Sequence, residues 1–125
     1  MINGAHFLFY STDADADRAF LSEMFNLEGV DAGGGWMIFK LPPAEIAVHP
    51  SEDAFVMGHA GRDLLGAVLY FMCDDVRRTV QELEARGAKC APIEQARWGH
   101  YTTIAVPSGA CVGLYQPSHP TAIDL

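Results

Sequence analysis

The chain has 125 residues, half of them hydrophobic and 19% charged, with only eight Lys and Arg and a formal net charge of −8. The length fits one compact domain or two small halves sharing a core, and the composition is that of a folded chain. Nucleic-acid binding is disfavoured because phosphate neutralisation needs clustered cations, and no basic cluster here exceeds Arg77 and Arg78. The acidity would instead favour a cationic ligand.

No apolar run approaches the roughly 20 residues that span a bilayer, so no membrane partner is expected. Met1–His6 has no positive n-region, so no secretory signal is expected. Cys73, Cys90 and Cys111 lack CxxC spacing and each lies in an apolar run. Reduced thiols in a cytoplasmic protein are the expectation.

In chain order, His6–Ser11 is an apolar and aromatic run that reads as a strand. Ala14–Leu27 reads as a helix, with Phe20, Met24 and Leu27 on one stripe, Thr12 or Asp13 as cap, and Gly29 as the stop. The Gly33–Gly35 run turns into a strand over Trp36–Leu41, and a Pro42–Ala44 turn leads to a strand over Glu45–His49. Ser51–Asp63 has little periodicity and reads as a linker.

The pattern then restarts. Ala67–Cys73 reads as a strand, with Asp74 or Asp75 as cap for a helix carrying Val76, Val80 and Leu83 on one stripe, and Arg86 and Gly87 close it. Lys89–Ile93, His100–Val106 and Ala110–Tyr115 read as further strands, with Pro107–Gly109 as a turn and Pro117 as the end. The halves share their punctuation: Asp13 and Asp75, Gly29 and Gly87, Pro42 and Pro107, Pro50 and Pro117. A repeat of about 60 residues in two copies is a duplicated module rather than a solenoid. The expected organisation is module one over about 4–50, a linker over 51–63, module two over about 64–117 and a tail over 118–125.

Three segments carry a resemblance to a known family. They are His6–Asp13 with Arg18, Ala19 and Phe20; Tyr70–Val76, an apolar strand ending in Asp74-Asp75-Val76; and Tyr101–Gly109 with Val112–Pro117. In this order they resemble the vicinal-oxygen-chelate superfamily of glyoxalases, bleomycin-resistance proteins and extradiol dioxygenases, over nearly the whole chain. The resemblance implies an α+β fold: two βαβββ modules forming a curled mixed sheet, a cup, with helices outside. It also implies a homodimer, with the cup formed within one chain or between two.

Metal-holding members take ligands from the first and last strands of each half. Here the four positions are His6, Ala47, Val68 and Gly113, and only His6 can ligate through its side chain. Strand alternation puts Glu45 and His49 on the Ala47 face, so His6, Glu45 and His49 form a candidate set for Fe, Mn, Zn or Ni. The resemblance leaves two functions. One is a binding protein for a small organic molecule, with no cofactor fixed by the residues. The alternative is a metal-dependent glyoxalase-like lyase or extradiol dioxygenase acting on vicinal oxygens.

Alternation in the aligned strands places Tyr10, Tyr70, Met72 and Tyr115 on the cup parity, with Trp36 and Trp98 at the rim. With His6 and His49 these are the candidate ligand-binding residues. Phe7, Phe9, Leu69, Phe71, Val112 and Leu114 take the opposite parity and are expected to pack beneath the helices.

Overall fold

The computed structural model describes residue 1 and residues 5–123. It contains two helices and eight strands among those residues, an α+β arrangement. The chain divides into two compact units, Met1–Lys40 with Val106–Ala110, and Leu41–Ala105 with Cys111–Leu125.

In the first unit, α1 spans Ala14–Phe25. Asp13 caps it, accepting from the Ala16 N–H at 3.3 Å, and Asp15 and Asp17 place negative charge in the first turn, where the helix dipole favours it. The helix stops two residues earlier than the Leu27 end expected, because Asn26 enters the left-handed region at φ 55°. Asn tolerates that conformation, so the stop does not wait for Gly29. Gly29 instead opens β1 (Gly29–Asp31), which pairs antiparallel with β2 (Met37–Phe39). The Asp31 carboxylate accepts from Gly33 N–H at 2.7 Å and Gly35 N–H at 3.3 Å, which fixes the turn between them.

The Val106–Ala110 turn belongs to this unit. Ser108 donates its N–H to Asp17 Oδ1 at 3.0 Å and its hydroxyl to Oδ2 at 2.7 Å. Burial pushes the Asp17 carboxyl up, but hydrogen bonds from the Ser108 side chain, Ser11 and the Ser108 backbone outweigh it, and its pKa ends below 3.8.

The second unit begins with a hairpin, β3 (Val56–His59) and β4 (Arg62–Leu65), paired antiparallel. It lies across the segment expected to be a linker. Its two-residue turn puts Ala60 at φ 52° and Gly61 at φ 74°, both in the left-handed region that tight hairpins require.

Next comes a βαβββ module. Strand β5 (Tyr70–Met72) leads to α2 (Val76–Ala85), then β6 (Glu94–Ala96), β7 (Gly99–Ala105) and β8 (Cys111–Pro117). The sheet order is β5-β8-β7-β6, with β5 parallel to β8 and the other pairs antiparallel. Asp75, rather than Asp74, caps α2 by accepting from Arg78 N–H at 3.1 Å. Val76, Val80 and Leu83 form the buried stripe of α2 and meet Ile104, Val112 and Leu114 of the sheet. Each such side chain removed from water stabilises by about 1.5–3 kcal/mol, so this contact holds the module. Thr102 is the one buried polar residue among those described, and its hydroxyl donates to the Ala91 carbonyl at 2.6 Å.

Three expected strands are not formed. His6–Ser11 and Glu45–His49 belong to no strand among the described residues, and Lys89–Ile93 has only an isolated bridge from Cys90 to Ile104, the strand there starting at Glu94. Phe7 and Phe9 are consequently exposed rather than packed as expected, and Ile46 and Val48 stand 91% and 93% exposed. β propensity supplies the extended tendency, but a strand exists only where a neighbouring backbone completes its ladder. No helix among the described residues is long and apolar enough to cross a membrane.

Candidate functional site

Strand alternation gives the β5–β8 sheet two faces. Val112 and Leu114 point to α2, and so does Gln116, whose Oε1 accepts from the Val76 N–H at 3.1 Å. His100 pairs with Gln116 and so takes the helix side. Tyr70, Met72, Tyr101, Gly113 and Tyr115 occupy the opposite face: Tyr70 pairs with Gly113, and both Met72 and Tyr101 pair with Tyr115.

On that second face the aromatic side chains converge. Trp98, in the turn between β6 and β7, stacks on Tyr101 with centroids 4.7 Å apart and planes 28° apart. Tyr70 and Tyr115 approach Trp98 at 5.7 and 5.4 Å, inclined by 73° and 71°, and each other at 5.6 Å and 83°. Three rings therefore stand nearly perpendicular to one another, with Tyr101 behind Trp98. The backbone makes room for them at Gly113, where any Cβ would collide with the Tyr70 ring. Trp98 remains 39% exposed, so the cluster reaches solvent. Ser118 N–H donates to the Trp98 carbonyl at 2.9 Å and fixes the turn that carries the indole.

The hydroxyls of the cluster have defined partners. Tyr101 donates to Glu94 Oε2 at 2.8 Å, and that hydrogen bond, with the Glu94 charge, pushes the Tyr101 pKa up. Tyr115 Oη lies 3.0 Å from His119 Nε2, while His119 Nδ1 lies 2.7 Å from the Pro120 carbonyl. A carbonyl only accepts, so Nδ1 carries a proton, and in the neutral ring Nε2 then accepts from Tyr115. Burial, then the charge of Glu45, raises the Tyr115 pKa and keeps the hydroxyl protonated. Glu45 Oε2 also accepts from the Ala122 N–H at 2.6 Å, tying the tail.

Four of the residues expected from the sequence thus lie on one face: Tyr70, Trp98 and Tyr115 in mutual ring contact, and Met72 beside Tyr115 across the ladder. His6, Tyr10 and Trp36 belong to the first unit, where Trp36 lies under the Arg18 guanidinium at 5.1 Å. His49 is exposed, and its Nδ1 lies 2.7 Å from the Pro50 carbonyl.

The resemblance singles out His6, Glu45 and His49 for a divalent metal. Among the described residues no three His, Cys, Asp or Glu side chains come together as a metal-holding group. Glu45 spends one carboxylate oxygen on Ala122 and His49 one nitrogen on its own chain. His6 falls in one compact unit and Glu45 and His49 in the other, and no step is derived through a metal.

Tyr101, His119 and Glu94 were missed by the sequence reading. Tyr101 was recoverable: counting back in pairs from the Pro107–Gly109 turn sets it opposite Tyr115. His119 and Glu94 carried no such signal.

No protein-family model matches the sequence, and no curated protein sequence matches it significantly. Solved structures do match. The fold is that of the glyoxalase, bleomycin-resistance and fosfomycin-resistance proteins, members of the vicinal-oxygen-chelate superfamily. An antibiotic binding protein, TnmS3, from a Streptomyces species is 21% identical, with a TM-score of 0.61 over 94% of this chain and 99% of that one. A lactoylglutathione lyase from Agrobacterium tumefaciens is 20% identical, with a TM-score of 0.60 over 91% and 92%. The fosfomycin resistance protein FosX from Listeria monocytogenes is 16% identical, with a TM-score of 0.60 over 94% and 96%. At these identities the likeness defines the fold, and the site must speak for the chemistry.

Proposed function

We propose that this chain is a small-molecule-binding protein whose ligand seats on the aromatic face of the β5–β8 sheet. One observation carries the reading: Tyr70, Trp98, Tyr101 and Tyr115 converge on the sheet face away from α2, with Trp98 open to solvent. Aromatic side chains offer large contact area at low conformational cost, and their hydroxyls orient a ligand. The similarity to an antibiotic binding protein agrees with this reading. The three free thiols agree with a cytoplasmic location.

Titration of a Trp36→Phe variant with a panel of aromatic small molecules, read by Trp98 fluorescence, tests it. Saturable quenching that disappears in Tyr115→Ala is the expected result. Saturable binding indifferent to Trp98→Ala and Tyr115→Ala would place the ligand elsewhere. The alternative metal-dependent lyase or dioxygenase is tested by elemental analysis. Stoichiometric Fe, Mn, Zn or Ni, lost in His6→Ala, would replace the binding reading with the chelate one.

A homodimer is part of the same proposal. Phe7, Leu8 and Phe9 in one unit, and Ile46 and Val48 in the other, are exposed large apolar side chains, which association with a second copy would cover. Light scattering at micromolar concentration is expected to give twice the 13.6 kDa chain mass. A monomer mass would refute it.

A further inference from the structure

The aromatic cluster has an electrical character beyond its shape. Tyr101 donates a hydrogen bond from its hydroxyl to the Glu94 carboxylate at 2.8 Å, and the neutral form of His119 accepts one from Tyr115 at 3.0 Å. A phenol that donates to a strong acceptor pushes electron density into its ring, which deepens the negative potential over the ring face. Both rings so polarised touch Trp98, the ring type with the strongest attraction for cations.

The geometry adds a second argument. Tyr70, Trp98 and Tyr115 meet at 73°, 71° and 83°, with centroids 5.4–5.7 Å apart. Rings inclined so steeply turn their faces in three directions, a corner that suits a compact rounded group. The charges agree: the Glu94 carboxylate is held against Tyr101 at 2.8 Å. The whole chain carries −8. Arg97, in the turn beside Trp98, is exposed.

We propose that the corner formed by Tyr70, Trp98 and Tyr115, backed by Tyr101 and Glu94, binds an organic cation through a methylated ammonium group. When fully methylated, as in a trimethylammonium, such a group has no N–H to donate, so ring faces and nearby carboxylates are the partners that can recognise it. This inference rests on the reading that the aromatic face is the binding site, and adds the ligand's charge and form.

The test compares choline with 3,3-dimethyl-1-butanol, its neutral isostere, which differ in the charge of the head group alone. Binding is followed by Trp98 fluorescence in the Trp36→Phe chain and by chemical shifts of the tyrosine rings. Choline is expected to bind at least tenfold more tightly than the alcohol. Tyr101→Phe keeps the ring and removes its link to Glu94, so it should weaken choline severalfold and leave the alcohol unchanged. Glu94→Gln should do the same, and both variants spare the packed core. Equal binding of the two probes would overturn the cation inference while leaving the aromatic face as a binding site. Failure of choline to bind, while neutral aromatic molecules still quench Trp98, would overturn it equally. Failure of every probe would overturn both readings.

Discussion

The ring of Tyr70 lies against the backbone of Gly113, its partner across the parallel β5–β8 ladder, and a methyl group there would fall within 2.6 Å of three ring carbons. Gly113→Ala therefore has to push the ring away from Trp98. The expected outcome is a reduced near-ultraviolet circular dichroism signal from the cluster and a loss of about 1–3 kcal/mol of stability. An unchanged spectrum and melting temperature would show that the ring does not occupy this space.

The Asp17–Ser108 bond makes a pH-dependent prediction. The Asp17 pKa is held below its unfolded value, so its contribution is present above that value and fades as pH falls through the folded one. Asp17→Ala should cost about 1 kcal/mol at neutral pH. Below pH 3.8 the difference from the parent chain should shrink toward zero. Denaturant titrations at pH 7 and in acid check this, and a difference that grows in acid would contradict it.

The cysteines should differ in reactivity. Burial raises the thiol pKa of Cys73, helped by the charges of Asp74 and Asp75, and burial with Glu84 raises that of Cys90. A raised pKa leaves less thiolate at neutral pH, and the thiolate is the nucleophile. Cys111 is exposed. A chromogenic disulfide reagent should label one thiol quickly and two slowly, and Cys111→Ser should remove the fast phase. Three equal rates would count against these environments.

The α2 contact predicts a stability ranking. Ile104 is fully buried beneath the helix, and Ile104→Ala should cost about 2–5 kcal/mol. Thr102→Val removes the hydrogen bond to the carbonyl of the exposed Ala91, at a cost of about 0.5–1.5 kcal/mol. Chemical denaturation measures both, and a Thr102→Val loss as large as that of Ile104→Ala would reverse the ranking.

The second module was legible because its apolar residues are periodic and locally punctuated. Val76, Val80 and Leu83 mark the α2 stripe, and strand parity sorted Tyr70 and Tyr115 from Val112 and Leu114. The first half was less so. His6–Ser11 and Glu45–His49 have strand composition, but pairing depends on a distant backbone that composition does not specify. The β3–β4 hairpin was hidden for the opposite reason. Val56–His59 and Arg62–Leu65 lack alternation, and Ala60 occupies a left-handed position that Asn, Asp or Gly would have advertised. In the site, hydrogen bonds from tail to sheet such as Tyr115–His119 depend on the path of a short irregular segment, which residue periodicity does not describe.

The parallel pairing of β5 with β8 also sets an order of events. Cys73 and Tyr115 lie 42 residues apart, yet the Cys73 N–H reaches the Tyr115 carbonyl at 3.0 Å. On the ribosome β5 emerges first and has no partner until the final strand follows, because β6 and β7 take their places on the far side of β8. Such non-local closure is slow relative to helix formation. Tyr70 thus meets Tyr115 only once β8 has been made, and until then the nascent chain carries the four rings of the cluster as separate, unassembled pieces.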